Sequence, residues 1–144
     1  SGGSIRHPHS QIIGLRNYDY HEDITVKNMN GWLLHEDQDI RITLSKHPII
    51  GFFEYNLRYK PDAPVRSIAM RLQQTIRYVL DSLAKFSQSY NYFFYQLEDG
   101  YEYIKVIPRY ITTPLYVGYK IPQTCNDQRA AKILHNITPY FELK

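Results

Sequence analysis

The segment RHPHSQIIGL, residues 6–15, sets His7, His9 and Gln11 at every second position. On an extended strand alternate residues share a face, so the two imidazoles and the carboxamide point the same way. That set suits phosphoryl chemistry. A neutral imidazole can attack phosphorus and form a phosphohistidine-type intermediate. A neighbouring amide can hold the non-bridging oxygens as the geometry changes. Pro8 fixes its own backbone angle and stiffens both neighbours. Metal ligation is the competing chemistry, because histidines two apart on a strand can share an ion. Paired histidines near a chain terminus are usually incidental, and on pattern alone that reading outweighs both chemistries.

Other chemistry-bearing residues have plainer readings. His21, among acidic neighbours in DYHEDI, could ligate a metal, but a solvated loop is the commoner case. His35-Glu36-Asp37 reads as a turn with no further partner, and His47-Pro48 as a strand end without chemistry. Arg66, Arg71, Gln73, Gln74, Arg77 and Lys85 form the polar face of a helix, where exposure to water is the default. Lys105 and Arg109, on or just after a strand, are less easily dismissed, although charges in water are the default there too. Cys125 sits in a loop with no base nearby, which argues against a catalytic thiol.

These residues must be positioned by a single body. The chain has 144 residues, 43% hydrophobic and 22% charged, enough for one packed core. A formal charge of +3 without a basic stripe gives nucleic-acid binding little support. The single cysteine excludes an internal disulfide and a cysteine-based zinc cluster, and favours a cytoplasmic protein. No apolar run approaches the length of a membrane span. Fourteen tyrosines suggest strands with one wet face or an aromatic binding surface.

Residues 5–15 read as a strand and 16–31 as a long surface connection, with a short extended piece at Ile24–Val26. Trp32–His35 is strand-like, and EDQD at 36–39 is a turn. Ile40, Ile42 and Leu44 then alternate with Arg41 and Thr43. Phe52–Tyr59 is a further strand. Ile68, Leu72, Ile76, Val79, Leu80, Leu83 and Phe86 recur at helical spacing, which predicts a helix from about Val65 to Phe86. Strands follow at Tyr92–Leu97 and Tyr101–Ile107 around the turn Glu98-Asp99-Gly100, and a short helix at about Asp127–Asn136 closes the order. The expected class is α+β, with a mostly antiparallel sheet, one long helix and a short C-terminal helix.

HPHSQ resembles the His-Pro-His-x-Gln active-site motif of the galactose-1-phosphate uridylyltransferase family, a branch of the histidine-triad (HIT-like) fold. Tyr103-Ile104-Lys105-Val106-Ile107-Pro108-Arg109 is similar to the end of a histidine-triad strand, HxHxHVIPR, with its histidines lost. Leu115-Tyr116-Val117-Gly118-Tyr119-Lys120, with Gln128-Arg129-Ala130-Ala131 beyond it, is similar to the C-terminal FMVGYE segment of the same transferases. The resemblance thus spans nearly the whole chain, and suggests a divergent bacterial branch. Such proteins have two HIT-like halves. Residues 1–15 would be the last strand of the first half, 16–31 a connecting loop, and 32–144 a degenerate second half. The sequence would then be a fragment of a longer enzyme.

The resemblance implies roles residue by residue. His9 matches the nucleophile that becomes nucleotidylated, and Gln11 the amide on the phosphoryl oxygens. His7 lies at the substrate side and matches a structural zinc ligand of some relatives, whose other ligands would lie upstream. Val117 and Tyr119 match the segment that reaches the sugar of the other subunit in a homodimer. Lys120 stands where relatives carry glutamate, which puts hexose specificity in doubt and favours a more anionic ligand. Tyr103 and Lys105 replace metal-binding histidines, so a second metal site is not expected. The implied function is a hexose-1-phosphate-type nucleotidyltransferase acting on a nucleotide-sugar and a sugar 1-phosphate. No cofactor is implied beyond a structural zinc in the longer protein, and no nucleic acid or membrane partner. A nucleotide-sugar phosphorylase or hydrolase is a close variant, and a non-catalytic binding or dimerisation module is the alternative from another class.

Overall fold

A computed structural model describes residues 19–49, 53–83, 89–108 and 126–142. Five strands form one antiparallel sheet: β1 (Gly31–Glu36), β2 (Ile40–Ser45), β3 (Tyr55–Tyr59), β4 (Tyr90–Gln96) and β5 (Glu102–Pro108), in the order β1-β2-β3-β5-β4. Among the described residues three helices accompany them: α1 (Val26–Met29), α2 (Val65–Leu83) and α3 (Asp127–Glu142). The class is the α+β arrangement expected from the sequence. Among the described residues no helix is long and apolar enough to cross a membrane.

Period-two alternation sorts the central strands into two faces. Ile40, Ile42 and Leu44 of β2, Tyr55, Leu57 and Tyr59 of β3, and Ile104 and Val106 of β5 share the main core. Tyr78 and Val79 of α2, and Ala130, Ile133, Ile137 and Phe141 of α3, complete that core from one side. Thr43, Asn56 and Lys105 lie at the intervening positions, and the segment around α1 closes the other side. There Ile24, Met29, Leu97 and Tyr103 form a smaller core.

Two turns show how the sequence specifies the hairpins. Asp37 Oδ1 accepts the N–H groups of Asp39 and Ile40 at 3.0 and 2.8 Å, which closes the β1–β2 turn. Gly100 at φ +77° supplies the left-handed residue of the β4–β5 turn. At the start of β1, a Cβ on Gly31 would overlap the carbonyl oxygen of Leu44. Only glycine lets β1 approach β2 there.

Four expectations need correction. Residues 24–29 are not a surface connection with an extended piece: Val26–Met29 is a helical turn, and Ile24 and Met29 are buried. One turn is too short to hold itself together, so tertiary contacts decide its conformation. The C-terminal helix runs to Glu142 and passes through Pro139, not stopping near Asn136. An internal proline costs a helix about 3 kcal/mol. The last turn is nonetheless held, by the buried Phe141 ring and by Tyr140, whose hydroxyl donates to Asp81 at 3.0 Å. Arg71 and Gln74 do not lie on a solvated face; Gln74 is buried, and Arg71 is enclosed by the contacts described below. Lys105, expected with its charge in water, is fully buried.

Candidate functional site

The expected site residues His7, His9, Gln11, Val117, Tyr119 and Lys120 lie outside the described residues, as do Arg109 and Cys125. The polar centre that the structure brings together is a different one. It is built on β5, β3 and β2.

Register places Thr43 opposite Asn56 and Asn56 opposite Lys105, so the three form a row across β2, β3 and β5. Lys105 Nζ donates to Asn56 Oδ1 at 2.6 Å, to Glu54 Oε2 at 2.9 Å and to the carbonyl of Asn28 at 3.1 Å. An ammonium has three donors, and each has an acceptor. Glu54 also accepts the N–H of Ile49 at 2.9 Å. The Asn56 amide donates to Met29 O and to Thr43 Oγ1, and Thr43 donates to Met29 O at 2.9 Å. Ser45 donates to Asn28 O at 2.8 Å.

The last carbonyls of α1 are thus capped by sheet side chains, in place of the intrahelical bonds that one turn cannot supply. Neither the Lys105 nor the Glu54 side chain has any exposed surface. Burial pushes the Lys105 ammonium below the ordinary lysine range, and the Glu54 carboxylate beside it opposes that shift. Next along β5, Tyr103 donates to Asp99, and burial together with that carboxylate raises its phenol well above the usual range. A substrate has no access to Lys105, and no donor is left over to bind one.

A second polar cluster joins the β1–β2 turn to both long helices. Arg71 places Nε 2.9 Å and Nη2 2.8 Å from Asp37 Oδ2, and His35 Nε2 lies 3.2 Å from the same oxygen. The second Arg71 amino group donates to Gln74 Oε1 at 3.0 Å and to Phe141 O at 3.1 Å. The His35 ring lies against Phe141, with centroids 4.8 Å apart. Burial alone would raise the Asp37 carboxyl. The N–H groups of Ile40 and Asp39, the His35 ring and the Arg71 guanidinium outweigh it and hold the group at about 2. His35 and Asp37 therefore have partners that the sequence reading lacks. They act as a clasp on the C-terminus of α3.

His21 is exposed, as expected, with Nδ1 2.7 Å from Asp19 Oδ1 and Nε2 3.1 Å from Gln96 O. The hydrogen bond to Asp19 raises its imidazole above the ordinary value. Among the described residues no three His, Cys, Asp or Glu side chains are grouped to hold a metal. A recess of about 250 Å³ between Phe53, Tyr55, Tyr78 and Lys132 lies on the helix side of the sheet. It is smaller than the roughly 300–1,000 Å³ of typical ligand pockets.

Sequence reasoning missed the Lys105–Glu54–Asn56 centre, although a signal was present: a lysine flanked by isoleucine and valine inside a strand. Its partners are 49 to 77 residues away, so only the fold reveals them.

Comparison with known proteins adds a family and a structural neighbour. Residues 21–141 match the C-terminal domain of a domain of unknown function, DUF4931. The chain is also similar to a DUF4931 family protein (BCE0241) from Bacillus cereus ATCC 10987, seen in a crystal structure at 2.65 Å resolution. The two are 37% identical with a TM-score of 0.75, over 97% of this chain and 63% of that one. This chain therefore spans 63% of the length of that protein. No curated protein matches the sequence.

Proposed function

Because the chain belongs to the DUF4931 family through that family's C-terminal domain, we propose that its body is a non-catalytic support for a nucleotidyltransferase centre carried by His9 and Gln11. The observation that carries this reading is the sealed Lys105 centre. On the strand that resembles a histidine-triad strand, the chain's own Glu54, Asn56 and Asn28 take up every ammonium donor. Phosphate recognition at that face would need a free donor or an opening, and that centre offers neither. HPHSQ keeps the imidazole-plus-amide set that the chemistry requires.

The proposed reaction has two displacements. His9 attacks the α-phosphorus of a nucleoside diphosphate sugar, the bond to the sugar 1-phosphate oxygen breaks, and the imidazole proton passes to solvent. A phosphate oxygen of a second sugar 1-phosphate then attacks the nucleotidyl-histidine and frees the nitrogen. Gln11 holds the non-bridging oxygens in both steps. A structural zinc at His7 would need ligands from outside this sequence. The same reading implies a homodimer acting in the cytoplasm, with Val117, Tyr119 and Lys120 near the sugar.

Intact mass after exposure to a panel of nucleotide-sugars, beside a His9→Ala control, tests the proposal. A nucleotide-sized adduct that requires His9 supports it. No adduct from any donor, with a folded protein that binds none of them, favours the binding-module reading, for which the sealed lysine centre is the specific observation.

A further inference from the structure

The two edges of the sheet are treated differently. β1 carries an irregularity between Leu33 and His35, ends in the charged Glu36, and is tied to α3 by Trp32 Nε1 donating to Asp127 Oδ1 at 2.9 Å. Those are the usual protections of an edge. β4, Tyr-Asn-Tyr-Phe-Phe-Tyr-Gln, has no charge, no proline and no bulge. Phe94 is 61% exposed and Phe93 36%. Rings line both faces: Tyr90, Tyr92 and Phe94 contact one another in sequence along one, and Phe93 stacks on Tyr95 along the other.

The outer backbone can be located. Tyr20 OH accepts the N–H of Gln96 at 2.9 Å and donates to its carbonyl at 3.1 Å, so Gln96 turns its peptide groups away from β5. Antiparallel alternation then turns those of Phe94, Tyr92 and Tyr90 outward too. Tyr90 pairing with Pro108, which has no N–H to give, agrees with that phase. No strand among the described residues lies beyond β4.

We propose that this edge is an interface for an extended strand of the same polypeptide, contributed by the part of a DUF4931 protein that precedes the C-terminal domain. Three observations select that occupant. The matched domain is by description the C-terminal one, so the family has sequence before it. The related crystallised chain is longer, with this one spanning 63% of it. The domain match also begins at residue 21, and Tyr20 and His21 sit on Gln96 at the end of β4, so the N-terminal end of the domain lies at this edge. A neutral aromatic strand fits an apolar or aromatic extended partner through main-chain bonds to Tyr92 and Phe94. The inference does not depend on nucleotidyl transfer.

Residue-resolved amide exchange tests it, in a family polypeptide extended on the N-terminal side of this sequence. The amides of Tyr92 and Phe94 are expected to exchange at least about 100-fold more slowly than unstructured amides, by a factor that does not fall on dilution. Phe94→Lys should expose the N-terminal part to limited proteolysis while the Lys105 centre keeps its protection. Exchange at unstructured rates in the extended polypeptide would overturn the proposal. So would protection that is lost on dilution as copies separate, which would assign the edge to a second copy.

Discussion

Lys105 Nζ lies 2.9 Å from Glu54 Oε2, with both side chains wholly withdrawn from water at the centre of the sheet. The pair joins β3 to β5, and through the Asn28 carbonyl it also holds α1. A buried ion pair contributes little net stability, yet losing one partner strands the other's charge.

The first prediction follows from that asymmetry. Glu54→Ala and Lys105→Ala should each destabilise the fold by about 3–5 kcal/mol in denaturant titrations. The double variant Glu54→Leu with Lys105→Met should lose less than either single one. Additive losses in the double variant would contradict the coupled pair.

Asp37 sets the response to acid. Its folded pKa of about 2 lies below the ordinary 3.8, so its contribution is complete above about pH 4 and is lost as pH falls towards 2. Asp37→Asn should be less stable than the parent at pH 6 by about 2 kcal/mol, with the gap closing by pH 2. A gap independent of pH would show that the carboxylate's ionisation is irrelevant.

Arg71 reaches the last turn of α3 through the Phe141 carbonyl, beyond Pro139. Arg71→Met should cost about 2–3 kcal/mol and speed exchange or cleavage in 138–142 more than elsewhere. Arg71→Lys should recover only part of that, because an ammonium cannot span Asp37, Gln74 and Phe141 together.

Gly31→Ala should destabilise by at least about 1–3 kcal/mol, because its Cβ meets backbone rather than a movable side chain. Thermal unfolding reads the loss directly. An unchanged midpoint would mean that β1 does not approach β2 as described.

The sheet and α2 were legible because their signals are local: Ile40, Ile42 and Leu44 alternate, and Ile68, Leu72, Ile76 and Val79 keep helical spacing. Gly100 marked its turn for the same reason. What stayed hidden depends on contacts far apart in sequence. Val26–Met29 is helical because Ser45, Thr43, Asn56 and Lys105 take its carbonyls. Helix α3 outlasts Pro139 because Arg71 and Asp81 hold its end. Lys105 could be noticed on its strand, but its burial rests on Glu54 and Asn56. HPHSQ, the most specific motif, lies outside the described residues.

The central claim is a division of labour between His9 and the body around Lys105. Mapping the attachment point of the nucleotide, by fragmenting the chain at neutral to alkaline pH after reaction with a nucleotide-sugar, tests it most directly. The account predicts the adduct on His9, and its persistence in the Glu54→Leu, Lys105→Met double variant. An adduct on any residue from 19 to 142, Lys105 above all, would contradict it.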